Sequence, residues 1–488
     1  MSGLRVELGG GVTRIDGPLL FLARTAAAGF NEAVEVVGDD GRVRLGRVAA
    51  VDEERIVVEL LESTAGLDLA TTRVRLRGEP LLLPVGPGML GRTFNGVGEP
   101  IDGGPPVAAA EERRVDGVAI KPVAREAPSE FIETGITAID LLDSLVRGQK
   151  LPIFSGGGLP HDQMAIDIVR HARLPGGEGG GDGEFAICFA GIGIPHATAE
   201  RFRSAMEASG GAGRTCLFLN LASDPSAQRL LTPRVALTAA EYLAFTEGRH
   251  VLVVLTDMTN YCEALREVSA SHGEIPSRKG YPGYLYSDLA SLYERAGRIR
   301  GLPGSLTQIP ILTMPGDDMS HPIPDLTGYI TEGQIVLARD LARRAIYPPV
   351  AVLPSLSRLM KDGTGGGFTH PDHPALATQL YAAYARAVQA RVLASVVGEE
   401  GVSAVDRAFL RFGDTFERTV VGQEGSRTLD DSMAAGWAAL RLLPRAELTR
   451  LSEAQIETHL GATKEEGRPA GREENGSSEM ESDDHLRP

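Results

Sequence analysis

The segment Leu151-Pro-Ile-Phe-Ser-Gly-Gly-Gly-Leu-Pro-His-Asp-Gln163 has the layout in which proteins hold phosphates: a short apolar run, a Gly-rich turn, then a helical pattern. Backbone N–H groups and a helix N-terminus converge at such a turn and favour an anion. Set against GxxxxGK[ST], each fixed position has changed: Ser155 and Pro160 stand for the glycines, His161 for the lysine and Asp162 for the hydroxyl residue. Proline removes an N–H from the cradle, a histidine is shorter than lysine and mostly neutral near pH 7, and an aspartate adds negative charge beside the anion. The layout is that of a phosphate loop and the chemistry is not. On this segment alone, a Gly-rich turn unrelated to nucleotides is the better account.

Three further groups of residues could do chemistry. The apolar run Val251-Leu-Val-Val-Leu-Thr-Asp257 ends in an acid, as a Walker-B strand does when it reaches a magnesium ion, although an Asp at a strand end is more often a helix cap. His370 and His373 have HxxH spacing, but two prolines and no helix to align the rings make poor metal geometry. Asp317, Asp318, His321 and Asp325 cluster on a Pro-rich stretch that reads as a solvated connector. Cys188, Cys216 and Cys262 are widely spaced in apolar or helical contexts, as buried free thiols of a reducing compartment would be. No metal site is expected.

These residues need a scaffold, and 488 residues is enough for two to four domains at about 150 residues each. We expect three. From 1 to 78 short alternating runs such as Val34-Glu-Val-Val37 and Arg55-Ile-Val-Val-Glu-Leu60, separated by Gly38-Asp-Asp-Gly41 and Asp52-Glu-Glu54, read as a small antiparallel β-barrel. From 79 to 371, after a Gly/Pro-rich connector, compact apolar runs alternate with helical patterns at Thr238–Glu247 and Tyr284–Arg298. That alternation predicts an α/β domain with a mostly parallel sheet, like a P-loop NTPase. The runs are Leu151–Phe154, Phe185–Phe189, Thr215–Leu219, Val251–Leu255 and Ile309–Leu312. From 372 to 461 the spacing of Leu376, Leu380, Tyr384, Val388 and Val392 predicts a helical domain. The Gly-rich stretch Pro175–Gly183 reads as a surface loop, and 462–488, acidic and nearly devoid of apolar side chains, as a disordered tail.

Charge narrows the function. A formal net charge of −16 without a basic stripe argues against nucleic-acid binding. No apolar run approaches the roughly 18 residues of a membrane helix, and the N-terminus lacks a signal-peptide core. A cytoplasmic chain that meets a membrane only through partners is expected.

The segments Val251–Ser269, Lys279–Arg298 and Leu306–Gln334 together resemble the B (β) subunits of V-type and archaeal-type ATPases. Phe154–His161 and Pro349–Lys361 are similar to that family's signatures, and the resemblance runs from about Leu4 to Leu460. It implies a β-barrel, a nucleotide-binding-like domain and a helical domain in series, in a three-plus-three ring alternating with a catalytic A subunit. A central rotor stalk, peripheral stalks and a membrane sector that moves protons or sodium ions would complete the complex, on the cytoplasmic face. The family's B subunits lack the phosphate-loop lysine, bind no cofactor alone, and are taken to lend an arginine finger to ATP and magnesium at the interface with the A subunit. Arg358, in Ser355-Leu-Ser-Arg358, matches that arginine. The family commonly has Asn or Asp where Ala351 stands, and its Gly-rich loop is shorter than Pro175–Gly183. Two rival readings follow from the same residues: a self-sufficient hexameric ATPase, which an intact GK[ST] would favour, and a structural or nucleotide-sensing ring subunit.

Overall fold

A computed structural model describes residues 6–9, 11–175, 185–208 and 211–461. The Gly-rich stretch and the acidic tail read from the sequence fall almost wholly outside the described residues.

Seven strands between Val6 and Pro80 form one antiparallel sheet. Its period-two pattern buries Leu20 and Leu22, Val34 and Val36, and Ile56, Val58 and Leu60 on one side. The turn expected at Asp52 is held by its own carboxylate, whose Oδ1 accepts from the N–H groups of Glu54 (2.9 Å) and Arg55 (2.6 Å).

In the centre, strands line up in the order Val350–Ser357, Gly333–Leu337, Ile153–Gly156, Ser305–Met314, His250–Thr256, Phe185–Ile194, Thr215–Leu221 and Thr93–Asn95. All neighbours along this path are parallel except the first pair, where Val350–Ser357 runs against Gly333–Leu337. Helices cover both faces, and the strands Phe185–Ile194 and Ser305–Met314 are buried almost throughout, which is why they read as unbroken apolar runs. Cys188 and Cys216 are register partners on adjacent strands, and all three cysteines are buried thiols.

Two helices differ from the sequence expectation. Thr238–Glu247 is only the end of Ser226–Phe245, whose first half was hidden by Pro233. Tyr284–Arg298 is helical only over Leu285–Tyr293, and the chain then turns into the strand Gly297–Ile299. Arg295, inside the stretch expected to be helical, is fully buried and bonds both carboxylate oxygens of Glu241 at 2.6 and 2.7 Å. It lies past the end of the helix, whose C-cap is Glu294.

The C-terminal part packs His373–Val397, Ala404–Phe416, Leu429–Leu440 and Glu453–Leu460. Thr428 with Asp431 and Ser452 with Gln455 form capping boxes at two helix starts. One apolar core runs from Leu141 and Ile153 through Leu376 and Leu380 to Trp437, joining this bundle to the central sheet. His373 opens the long helix instead of lying in a loop; one ring nitrogen faces Leu141 O at 2.9 Å and the other Thr369 Oγ1 at 3.1 Å.

Candidate functional site

The degenerate loop sits where the sequence placed it, between the strand Ile153–Gly156 and the helix His161–His171. Ser155, Pro160, His161 and Asp162 come together there, and the side chains of Ser155, His161 and Asp162 meet one another. Ser155 Oγ and His161 Nδ1 share a hydrogen bond of 3.0 Å across the base of the loop, and Asp162 Oδ1 lies 3.6 Å from His161 Nε2. The N–H of Leu159 is spent on Gly156 O (3.1 Å) and that of His161 on Leu159 O (2.9 Å). Pro160, at the N-cap, has no N–H to give. These groups fit a nucleotide triphosphate with magnesium poorly: the N–H groups of Leu159 and His161 are already bonded within the loop, Pro160 has none, and an acid stands in place of the hydroxyl.

A second obstruction was not legible in the sequence. Asp317 Oδ1 and Oδ2 pair with the guanidinium of Arg339 at 2.9 Å each, and this pair leans on the loop. A Cβ at Gly156 would stand 2.2 Å from Asp317 Oδ1, so any larger residue there would have to displace the Asp317–Arg339 pair. Arg339 holds the Asp317 carboxyl below its ordinary pKa, which keeps a negative charge beside the loop. Asp317 is thus part of the site's surroundings and not only a residue of a solvated connector.

Asp257 is buried, and burial raises its carboxyl above the ordinary value against the pull of its donors. Its Oδ1 accepts from Thr259 N (2.8 Å) and Thr313 N (3.1 Å), and its Oδ2 from Thr313 Oγ1 (2.5 Å). It caps the helix Met258–Ser271 and ties that helix to the neighbouring strand, the commoner of the two roles the sequence allowed.

Arg358 lies elsewhere. The edge strand Val350–Ser357 runs antiparallel, with Ser357 level with Gly333 and Val350 level with Leu337. Phe154 is level with Val336, so the loop rises from one end of the sheet and Arg358 leaves from the other. At about 3.3 Å per residue, the six steps from the level of Glu332 to that of Ala338 put the two ends about 20 Å apart. The Arg358 N–H donates to Glu332 O at 3.0 Å. Its side chain is exposed, and among the described residues its guanidinium has a single long contact, from Nη1 to Thr331 O at 3.4 Å. A planar cation is therefore presented outward at the end of the sheet away from the chain's own loop.

The residues beneath Arg358 escaped sequence reasoning. Lys150 is buried, with Nζ 2.8 Å from Glu332 and 3.1 Å from Glu294. Gln149 is fully buried and reaches both Glu332 O (3.2 Å) and Ser357 Oγ (2.9 Å). Asp143 accepts from the Ser357 N–H, and burial pushes its pKa up to about 7. The run Arg147-Gly-Gln-Lys150 looks like an exposed turn in sequence, so nothing local marked it as core.

Among the described residues, no helix is long and apolar enough to cross a membrane. Residues 12–78 match the beta-barrel domain of the ATP synthase alpha/beta family, 135–357 that family's nucleotide-binding domain, and 362–460 the C-terminal domain of V and A type ATP synthase. The V-type ATP synthase beta chain of Halothermothrix orenii is 53% identical over 451 residues, covering 92% of this chain and 96% of that one. The solved structure of a unique ATP synthase subunit, NeqB, from Nanoarcheaum equitans is similar with a TM-score of 0.69 and 37% identity, over 87% of this chain and 98% of that one. The chain belongs to the ATP synthase alpha/beta family, among the beta (B) chains of V/A-type ATPases, which are parts of multi-subunit, membrane-associated complexes.

Proposed function

We propose that this chain is a non-catalytic B subunit that completes, in trans, an ATP site held by a neighbouring A subunit. The observation that carries the reading is the placement of Arg358: exposed, weakly held at its head, and about 20 Å along the sheet from the chain's own loop. Such an arginine cannot serve its own loop, and that loop is closed by its own side chains. Its natural target is a phosphoryl group on another subunit, with magnesium, at the interface between the two. A guanidinium there opposes the charge that builds on the equatorial phosphoryl oxygens and is permanently ionised, which suits it better than a lysine. The alternating three-plus-three ring, the rotor and peripheral stalks, and a membrane sector on whose cytoplasmic face the ring stands and which moves protons or sodium ions, complete the same reading.

The test is reconstitution of the complex with Arg358→Ala and Arg358→Lys. Turnover should fall by on the order of 10³-fold in the Ala variant, with little recovery in the Lys variant and with ring stoichiometry intact. Near-normal turnover in an intact ring would make Arg358 an interface residue only, and the subunit structural or nucleotide-sensing.

A further inference from the structure

We propose that Gln149 and Ser357 are positioning residues for Arg358, forming a buried polar clamp that fixes the backbone from which the guanidinium projects. The proposal rests on the reading of Arg358 given above.

Arg358 has little to hold its head, so the direction of its side chain depends on where its backbone is set. Two points set that backbone: its N–H bond to Glu332 O, and the preceding residue, Ser357. One side chain reaches both. The Gln149 carboxamide is fully buried, and its two N–H groups go to Glu332 O at 3.2 Å and Ser357 Oγ at 2.9 Å. Its Oε1 accepts from Val146 N at 3.0 Å, so the amide's orientation is fixed by a bond only its oxygen can accept. Ser357 Oγ in turn donates to Ser144 O at 2.8 Å. Glu332 is held as well, by Lys150, whose backbone N–H meets Oε2 at 2.8 Å and whose Nζ lies 2.8 Å from Oε1.

Every polar atom of the clamp therefore has a partner, and a fully satisfied buried network is rigid. If its purpose were only to hold the sheet together, nothing would require it to converge on the residue before Arg358 and on the carbonyl that Arg358 uses. An apolar side chain at 149 would fill the space but leave Ser357 Oγ without its donor and the Val146 N–H without its acceptor, with Glu332 O held by the Arg358 N–H alone. The edge strand could then shift, and a displacement of about 1 Å at a catalytic group can cost on the order of 10²-fold in rate.

The experiment uses the assembled complex. Gln149→Met keeps volume and removes the amide; Ser357→Ala removes the hydroxyl; Ser357→Thr keeps it. We expect Gln149→Met and Ser357→Ala to lower kcat by roughly 10- to 100-fold with KM for ATP nearly unchanged, and Ser357→Thr to restore most of the rate. In an Arg358→Ala background the same substitutions should cost less than about twofold more, because the residue they position is gone. Normal kcat in the Gln149 and Ser357 variants, with Arg358→Ala inactive, overturns the clamp and leaves the arginine finger standing. An equal loss with and without Arg358 also overturns it, since that is the mark of a general structural defect. Loss of nothing in Arg358→Ala itself overturns the underlying reading instead. If Gln149→Met does not enter the ring, the Ser357 pair decides alone.

Discussion

Asp143 carries a pH dependence that can be isolated by one substitution. It lies behind the Arg358 segment, accepts the Ser357 N–H, and has an Oδ2 that is buried without a partner. Burial raises its pKa from 3.8 to about 7, so the folded chain keeps a proton there that the unfolded chain releases. Its contribution to stability is therefore greatest below pH 3.8, declines as pH rises toward about 7, and levels off above that. The difference of about three pKa units, at about 1.4 kcal/mol each, gives on the order of 4 kcal/mol in all; about 2 kcal/mol of it is lost between pH 5.5 and 8. Asp143→Asn replaces the neutral carboxyl with a neutral group of the same shape that still accepts from Ser357. Its advantage over the native chain should grow by about 2 kcal/mol across that window, or about 3 °C in Tm for a unit the size of the central domain. Thermal unfolding of both chains at matched pH reads the gap directly, and every other titrating group cancels in the difference. A gap that stays constant from pH 5.5 to 8 would refute the argument, because it would mean that Asp143 does not change charge in that range.

The other consequences are more local. Replacing Ser155 and Pro160 with Gly, His161 with Lys and Asp162 with Thr should raise the isolated chain's affinity for Mg-ATP by about tenfold or more by calorimetry, with a further gain when Asp317→Asn removes the charge beside Gly156; no gain would show that some other feature keeps the loop closed. Gly333→Ala should destabilise the chain by several kcal/mol, at least about 1 to 3 of it from strain alone, since Gly333 has φ +135° and a Cβ there would stand 2.0 Å from Leu356 O. The control is Gly157→Ala, where a Cβ meets nothing within 4 Å; similar melting of the two variants would contradict the geometry.

What the sequence made legible is what acts through one residue's own chemistry. A proline cannot donate and an aspartate cannot coordinate as a threonine does, so the departure from a phosphate loop's chemistry could be read at Pro160 and Asp162 without any neighbour. The strand at Arg55–Leu60 and the turn at Asp52 were legible for the same reason: alternation and Asx chemistry are local. The burial of Arg295 was not legible because its partner Glu241 is 54 residues away, and a buried bidentate pair looks in sequence like two surface charges. Gln149 was missed for the same reason, since Ser357 is 208 residues distant and Glu332 is 183. The edge strand Val350–Ser357 was obscured by Pro354, which an edge position tolerates. That strand is also where the functional geometry comes from. Had it joined its neighbour in parallel like the other strands on the path, Arg358 would leave from the end of the sheet where the loop lies, and its charge would fall beside the chain's own degenerate site. Because it runs the other way, the exposed Arg358 guanidinium leaves from the opposite end, and that placement is what the proposed action on a phosphate held by another subunit rests on.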